Sequence, residues 1–127
     1  MTHHSLQGHF TVTAEQVALY ADVADDHNPL HLDEAFARER GFPGAIVHGL
    51  LTLGLISTVL GDGLRGRWTS GGTIDARFSA PVPVGSTVQV RAVPAGEPCD
   101  GICVYEVEAR VDGTVVVKAS ASVRDAS

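Results

Sequence analysis

The stretch Ala24-Asp25-Asp26-His27-Asn28-Pro29-Leu30-His31 places a carboxylate and an imidazole five residues apart on a segment stiffened by proline. Moving a proton to and from a reacting atom takes one group that holds it and one that releases it near neutral pH. Aspartate with histidine meets that need where the surroundings tune them. Asp26 and His31 are therefore the candidate catalytic pair. The same spacing also fits a quieter role, in which Asp26 and Asn28 build an Asx turn and His31 caps a neighbouring element. A metal site made of Asp26, His27 and His31 is set aside, because Pro29 breaks helical i, i+4 geometry and no partner cluster follows. No metal is expected. Cys99 and Cys103 lack a nearby His-Asn context and a second zinc-like pair, so they read as ordinary thiols. The chain carries neither a nucleophile-elbow Gly-x-Ser-x-Gly nor a phosphate loop.

The elements that must position the pair follow from local signals. Thr13 with Gln16 forms a possible capping box, and Val17, Tyr20, Val23 and Ala24 recur at helical spacing, which predicts a helix from about Ala14 to Ala24. Pro29 disfavours helix at Asn28, so Asp25 to His31 should be a fixed loop. Asp33 is placed to cap a short helix, Glu34 to Arg40, ended by Gly41 and Pro43. From Gly49 to Leu60 almost no polar face remains, and a helix apolar nearly all round must be covered on most sides. Gly61 to Gly72 holds five glycines with Arg65 and Arg67 and reads as a mobile surface loop, with a grip on an anionic ligand as the alternative. Thr73 to Ser79, Thr87 to Val93, Ile102 to Val111 and Thr114 to Val123 read as strands, the last two joined by an Asp112-Gly113 hairpin turn. A helical first half before a strand-rich second half argues for an α+β fold, an antiparallel sheet wrapped around a buried helix.

The bulk numbers narrow the function. A chain of 127 residues suits one domain, residues 1–127, with a real core. A formal charge of −6 supplies no basic footprint for phosphate backbones, so nucleic acid is not an expected partner. The apolar run from Ile46 to Leu60 is interrupted by His48, Gly49, Thr52, Gly54, Ser57 and Thr58 and falls short of the roughly 20 residues a membrane span needs. The polar stretch Met1 to Gly8, with no apolar signal segment, fits a cytoplasmic protein. His3 and His4 belong to a terminus expected to fray.

Three ordered stretches carry a family likeness. Asp26-His27-Asn28-Pro29-Leu30-His31, with Leu32-Asp33-Glu34-Ala35-Phe36-Ala37 after it, resembles the hydratase motif of the MaoC-like family. Phe42-Pro43-Gly44-Ala45-Ile46-Val47-His48-Gly49-Leu50-Leu51 is similar to that family's lead into its central helix. Ala76-Arg77-Phe78-Ser79-Ala80-Pro81-Val82-Pro83-Val84-Gly85-Ser86-Thr87-Val88 is similar to its strand, proline turn and next strand. The resemblance implies a single hot-dog domain of about five or more strands around the Gly49 to Leu60 helix. It also implies reversible, R-specific hydration of a trans-2-enoyl thioester carried on coenzyme A or acyl carrier protein, with no metal or redox cofactor. Asp26 and His31 would bind one water between them, and the Gly49 N–H would hold the thioester carbonyl oxygen as it becomes enolate-like. A helix N-terminus suits that task, because its N–H groups are unpaired and its dipole end is positive.

On the substrate side the candidates are Asn28, His48 and Gly54. Asn28 reads as an orienter of the loop, and His48 as a structural histidine beside the site. Gly54 stands where some relatives carry a serine facing the site, which is one departure from the family. The other is Ala24-Asp25 in place of Ser-Gly; Asp25 tolerates the left-handed backbone a glycine would take there and adds a second carboxylate beside Asp26. Exposed sheet edges favour pairing, so a homodimer or a dimer of dimers is expected, with acyl tunnels along the subunit boundary. Two other functions compete: a hot-dog acyl thioesterase, and a non-catalytic subunit of a heteromeric dehydratase.

Overall fold

The computed structural model describes residues 4–125. In chain order the elements are β1 (Leu6–Thr11), α1 (Ala14–Ala24), α2 (Pro29–Leu32), α3 (Glu34–Glu39), α4 (Gly49–Leu64), α5 (Gly66–Gly71), β2 (Thr73–Phe78), β3 (Thr87–Pro94), β4 (Ile102–Val111) and β5 (Thr114–Arg124). Asp112 and Gly113 take φ values of 49° and 80°, the paired positive angles of a type I′ turn, whose twist suits the hairpin they close. That β4–β5 hairpin is the middle of one antiparallel sheet with strand order β1-β3-β4-β5-β2.

Period-two alternation turns Val88, Val90 and Ala92 of β3, Tyr105, Val107 and Ala109 of β4, and Val117, Ala119 and Ala121 of β5 inward. Against that face lie Ile56, Val59, Leu60 and Leu64 of α4, and the two sets form one core. The helix entries match their caps. The Thr13 hydroxyl accepts from the Gln16 N–H and the Gln16 side chain accepts from the Thr13 N–H, while Asp33 Oδ1 accepts from the Phe36 N–H at 3.1 Å. The architecture is the α+β hot-dog arrangement of a sheet wrapped on a central helix.

Four features differ from the sequence-based expectations. Strand β1 begins inside the polar stretch Met1 to Gly8, where no strand is expected; His4 just precedes it, exposed, and His3 lies outside the described residues. The segment Asp25 to His31 is not loop throughout, because Asn28 caps α2 with Pro29 in its first turn. The glycine-rich stretch is helical, with α4 running on to Leu64 and α5 following it. One sheet covers only one side of α4, so Leu50 is 67% exposed and Gly54 and Thr58 face outward as well. No helix among the described residues is long and apolar enough to cross a membrane. Cys99 is exposed and Cys103 is buried, and neither forms a disulfide.

Between α4 and α5, Arg65 takes φ 53° and ψ −127°, a conformation that suits glycine and strains other residues by about 1–3 kcal/mol. Arg65→Gly should therefore raise stability by about 1 kcal/mol after the entropy cost of glycine, or roughly 3–5 °C in Tm. Thermal melting monitored by circular dichroism checks this, and an unchanged or lowered Tm would show that the joint is unstrained.

Candidate active site

Asp26 is presented by the way α1 ends. Asp25 adopts the left-handed conformation at φ 52° and ψ 44° and donates its N–H to the Ala21 carbonyl; the Asp26 N–H donates to the same carbonyl at 3.0 Å. That closes the helix and turns the chain out of it. Asp26 Oδ1 then accepts from the Asn28 N–H at 3.3 Å, and Asn28 Oδ1 accepts from the Leu30 N–H at 3.0 Å. Successive Asx contacts thus carry the chain from the carboxylate into α2, which holds His31. Asn28 shapes this path. The Asp25 carboxylate points outward, 99% exposed, at 3.8 Å from His27 Nδ1.

His31 is half-buried, and its Nδ1–H donates to the Ile46 carbonyl at 2.7 Å. A carbonyl only accepts, so the proton sits on Nδ1 and Nε2 keeps its lone pair. His48 is 2% exposed and stacks on His31 with ring centroids 3.7 Å apart and 24° between planes; the Tyr20 ring lies against His48 on a 4.9 Å centroid separation. The His48 Nε2–H donates to the backbone carbonyl of Asp26 at 3.0 Å, while its Nδ1 is buried without a hydrogen-bond partner. A carboxylate oxygen of Asp26 and one ring nitrogen each of His31 and His48 lie within 4.8 Å of one another. Those distances fit a shared cation; His31 Nδ1 and His48 Nε2 are taken up by backbone carbonyls, which leaves one nitrogen on each ring.

Gly49 opens α4 directly after His48, and no side chain caps that helix end among the described residues. Its first N–H groups therefore face outward with the positive end of the dipole. A Cβ built on Gly49 would sit 3.5 Å from the Phe78 ring, which is ordinary contact, so the protein itself does not require glycine there. A groove of about 370 Å³ opens beside it, lined by Phe42, Val47, Thr52, Phe78 and Val82 among others. A roomier cleft of about 1130 Å³ runs along β1 and β3, away from the imidazoles. Gly54 lies on the open side of α4, with nothing within 4 Å of a Cβ built there. The fold thus gathers Asp26, His31, His48 and Gly49, gives Asn28 a scaffolding contact, and turns Gly54 outward. The groove residues Phe42 and Phe78 had no chemical signal of their own in the sequence. The link from His48 to Asp26 spans 22 positions, beyond the reach of any local spacing rule.

The MaoC-like domain model matches residues 3–117. The chain belongs to the MaoC-like domain family. Within that family it is 35% identical over 114 residues to the 3-hydroxybutyryl-CoA dehydratase of Methylorubrum extorquens, covering 84% of this chain and 73% of that protein. It is 32% identical over 114 residues to the (R)-specific enoyl-CoA hydratase of Rhodospirillum rubrum, covering 89% and 79%. The solved (R)-hydratase of Aeromonas caviae superposes with a TM-score of 0.84 at 31% identity, covering 96% of this chain and 94% of that one. Similarity to MaoC-like structures over nearly the whole chain confirms the hot-dog fold.

Beside the site, the His27 Nε2–H donates to Asp22 Oδ1 at 2.8 Å, and this bond, with the Asp22 charge, raises the His27 pKa above the ordinary 6.5. A raised folded-state pKa means the stabilisation is fully present below pH 6.5 and is lost as pH rises through the folded value. Because the pair is exposed, the effect on stability should be small. Proton NMR titration should place His27 above 6.5 and Asp22→Asn should return it there; an unmoved titration would remove the bond from the account. The buried stack makes a second prediction. His48→Ala should cost about 2–4 kcal/mol in chemical denaturation, from lost packing and the unpaired Asp26 carbonyl, and a loss below about 1 kcal/mol would show that the carbonyl finds water instead.

Proposed function

We propose that this protein is an enzyme that reversibly hydrates trans-2-enoyl thioesters to (R)-3-hydroxyacyl thioesters, with Asp26 and His31 as the proton-handling pair and the Gly49 N–H as the carbonyl donor. The observation that carries the reading is the placing of a carboxylate and imidazole nitrogens within 4.8 Å of one another, next to the uncapped N-terminus of α4. Two hydrogen bonds of about 2.8 Å to one water span such a gap. The reactions for which the relatives are named supply the substrate class and the R configuration.

In the forward direction the water oxygen bonds to the β carbon as the pair takes one of its protons. The π electrons move toward the thioester carbonyl, whose oxygen gains negative charge against the Gly49 N–H. The pair then returns a proton to the α carbon, so one water is added and nothing is oxidised or reduced. The lone pair left on His31 Nε2 suits it to accept a proton, and the Ile46 carbonyl opposite Nδ1–H steadies the imidazolium. Asp26 and His31 exchange acid and base roles in the dehydration direction. No metal or redox cofactor takes part in these steps, and coenzyme A or acyl carrier protein carries the acyl group.

The assembly proposed is a cytoplasmic homodimer, or a dimer of dimers. It would cover the bare flank at Leu50, the half-exposed Phe78 and the unpaired edge of β2, each of which favours a second layer.

Crotonyl-CoA hydration, followed by loss of enone absorbance and chiral analysis of the product, tests the reading. Wild type should give the (R)-3-hydroxy product. Asp26→Asn and His31→Ala should each lower kcat by about 100-fold or more, within the range of general acid–base effects. Gly49→Ala should melt like wild type yet lose at least tenfold in kcat/KM, because the methyl occupies the substrate's side of the N–H. A folded protein that leaves crotonyl-CoA and longer enoyl thioesters untouched would sink the proposal and leave thioester hydrolysis or a missing partner subunit to be assayed.

A further inference from the structure

His48 meets every member of the candidate machinery and almost no solvent. At 2% exposure it has no surface to offer a substrate, and it directly precedes Gly49 as the cap residue of α4. Its Nε2–H donates to the Asp26 carbonyl at 3.0 Å, and its ring lies on that of His31 with centroids 3.7 Å apart. The Tyr20 ring of α1 packs against it as well, 4.9 Å away and tilted by 60°. The end of α1, the turn α2 and the start of α4 therefore meet at this one side chain.

A residue that only filled the core would not need an imidazole. His48 Nδ1 is buried without a hydrogen-bond partner, and shutting a polar atom away unpaired costs stability. Phenylalanine would fill a similar space without that loss. What histidine adds is an N–H aimed at one carbonyl, joined to a flat ring on which His31 lies. Each contact supplies a constraint that the proton-handling pair otherwise lacks. The bond from His31 Nδ1–H to the Ile46 carbonyl fixes one atom of the ring, yet a ring can still turn about such a bond. A stacked neighbour fixes the plane too, and so sets the direction of the Nε2 lone pair. For Asp26, the N–H is tied to the Ala21 carbonyl, and the His48 bond fastens the carbonyl side. Both peptide groups that flank the Asp26 Cα are then held.

We propose that His48 is the positioning residue of the site, setting the plane of His31 with its ring and the backbone of Asp26 with its N–H. It exchanges no proton with the substrate and touches no reacting atom. The reaction it serves rests on the hydratase reading; the two contacts do not. Removing either contact frees one partner to drift, and a misplacement of about 1 Å costs on the order of 100-fold in rate. The loss falls on kcat, because His48 presents nothing for the substrate to bind.

Two substitutions separate the contacts. His48→Phe keeps a flat ring against His31 and drops the N–H, whereas His48→Gln keeps an N–H donor near the place of Nε2 and drops the ring. In crotonyl-CoA hydration each should lower kcat by about tenfold or more and leave KM within about threefold, with thermal melts showing that the variants are folded at the assay temperature. A residue that acts through His31 has nothing to position once His31 is gone. Adding His48→Gln to His31→Ala should therefore lower kcat by no more than about twofold beyond His31→Ala alone, whereas a general loosening of the fold would multiply the two losses. Crystal structures give a readout without turnover: the His31 ring should be rotated or spread over several orientations in His48→Gln and keep its wild-type plane in His48→Phe. Wild-type kcat in both folded variants, losses that multiply in full with His31→Ala, or an unmoved His31 ring in His48→Gln overturns the proposal. If neither His48 variant folds, Tyr20→Leu decides, since it leaves His48 in place and removes only the ring beside it: a lowered kcat with unchanged KM supports the positioning role, and wild-type kcat overturns it. If wild type hydrates no enoyl thioester while the His31 ring shifts in His48→Gln, the hydratase reading falls and the positioning role stands.

Discussion

The four residues Ala45 to His48 are fastened on both sides, and the rest of the site hangs from that fastening. The Ala45 N–H donates to Glu34 Oε2 at 3.0 Å, and its carbonyl accepts from the Val84 N–H at 3.0 Å. The Ile46 N–H donates to the Leu30 carbonyl and the Val47 N–H to the Val82 carbonyl. Ile46 then holds the His31 ring and His48 holds the Asp26 backbone. One short extended segment therefore joins α2, α3 and the β2–β3 connection, and fixes where α4 begins. A buried backbone left unpaired in this way would be costly, so each bond restricts the others.

This arrangement explains how two short polar turns at the surface present a carboxylate and an imidazole with defined geometry. Neither α2, with four residues, nor α3, with six, has the length to be stable alone. Their positions come from Asn28, Asp33 and the Ala45–His48 segment. His31 is oriented by a carbonyl and a stacked ring, and so has a rigid support even though Asp26 and Asn28 stand at the surface. Catalytic groups on loops gain their precision in this way, from the scaffold behind them.

Much of this was legible where chemistry is local. The Thr13–Gln16 capping box, the Asp33 cap, the Asp112-Gly113 turn and the left-handed tolerance of Asp25 each depend on residues a few positions apart, and the structure follows them closely. What escaped depends on distant partners. The strand β1, Leu6-Gln7-Gly8-His9-Phe10-Thr11, carries only two large apolar residues and is a strand because β3 pairs with it. The helix α5 forms among glycines because Trp68 is anchored on Ser57. Of the candidate site, Asp26, His31 and Gly49 could be named from motif resemblance, and the fold brings them together with His48. The stacking that makes His48 a support for His31, and the outward turn of Gly54, are properties of packing and of helix phase that spacing alone does not reveal.

The sheet order has a consequence for how the molecule is made. The β4–β5 hairpin closes through a two-residue turn and forms from neighbours in sequence, on the microsecond scale typical of hairpins. In contrast, Leu6 pairs with Ala92 and Thr73 with Ser122, so both outer strands wait for partners synthesised much later. During translation at about 5–20 residues per second, β1 leaves the ribosome first and stays unpaired for several seconds until β3 emerges. Loop closure of that length slows folding, and the polar Gln7, His9 and Thr11 on its outer face keep the waiting strand from becoming a sticky edge.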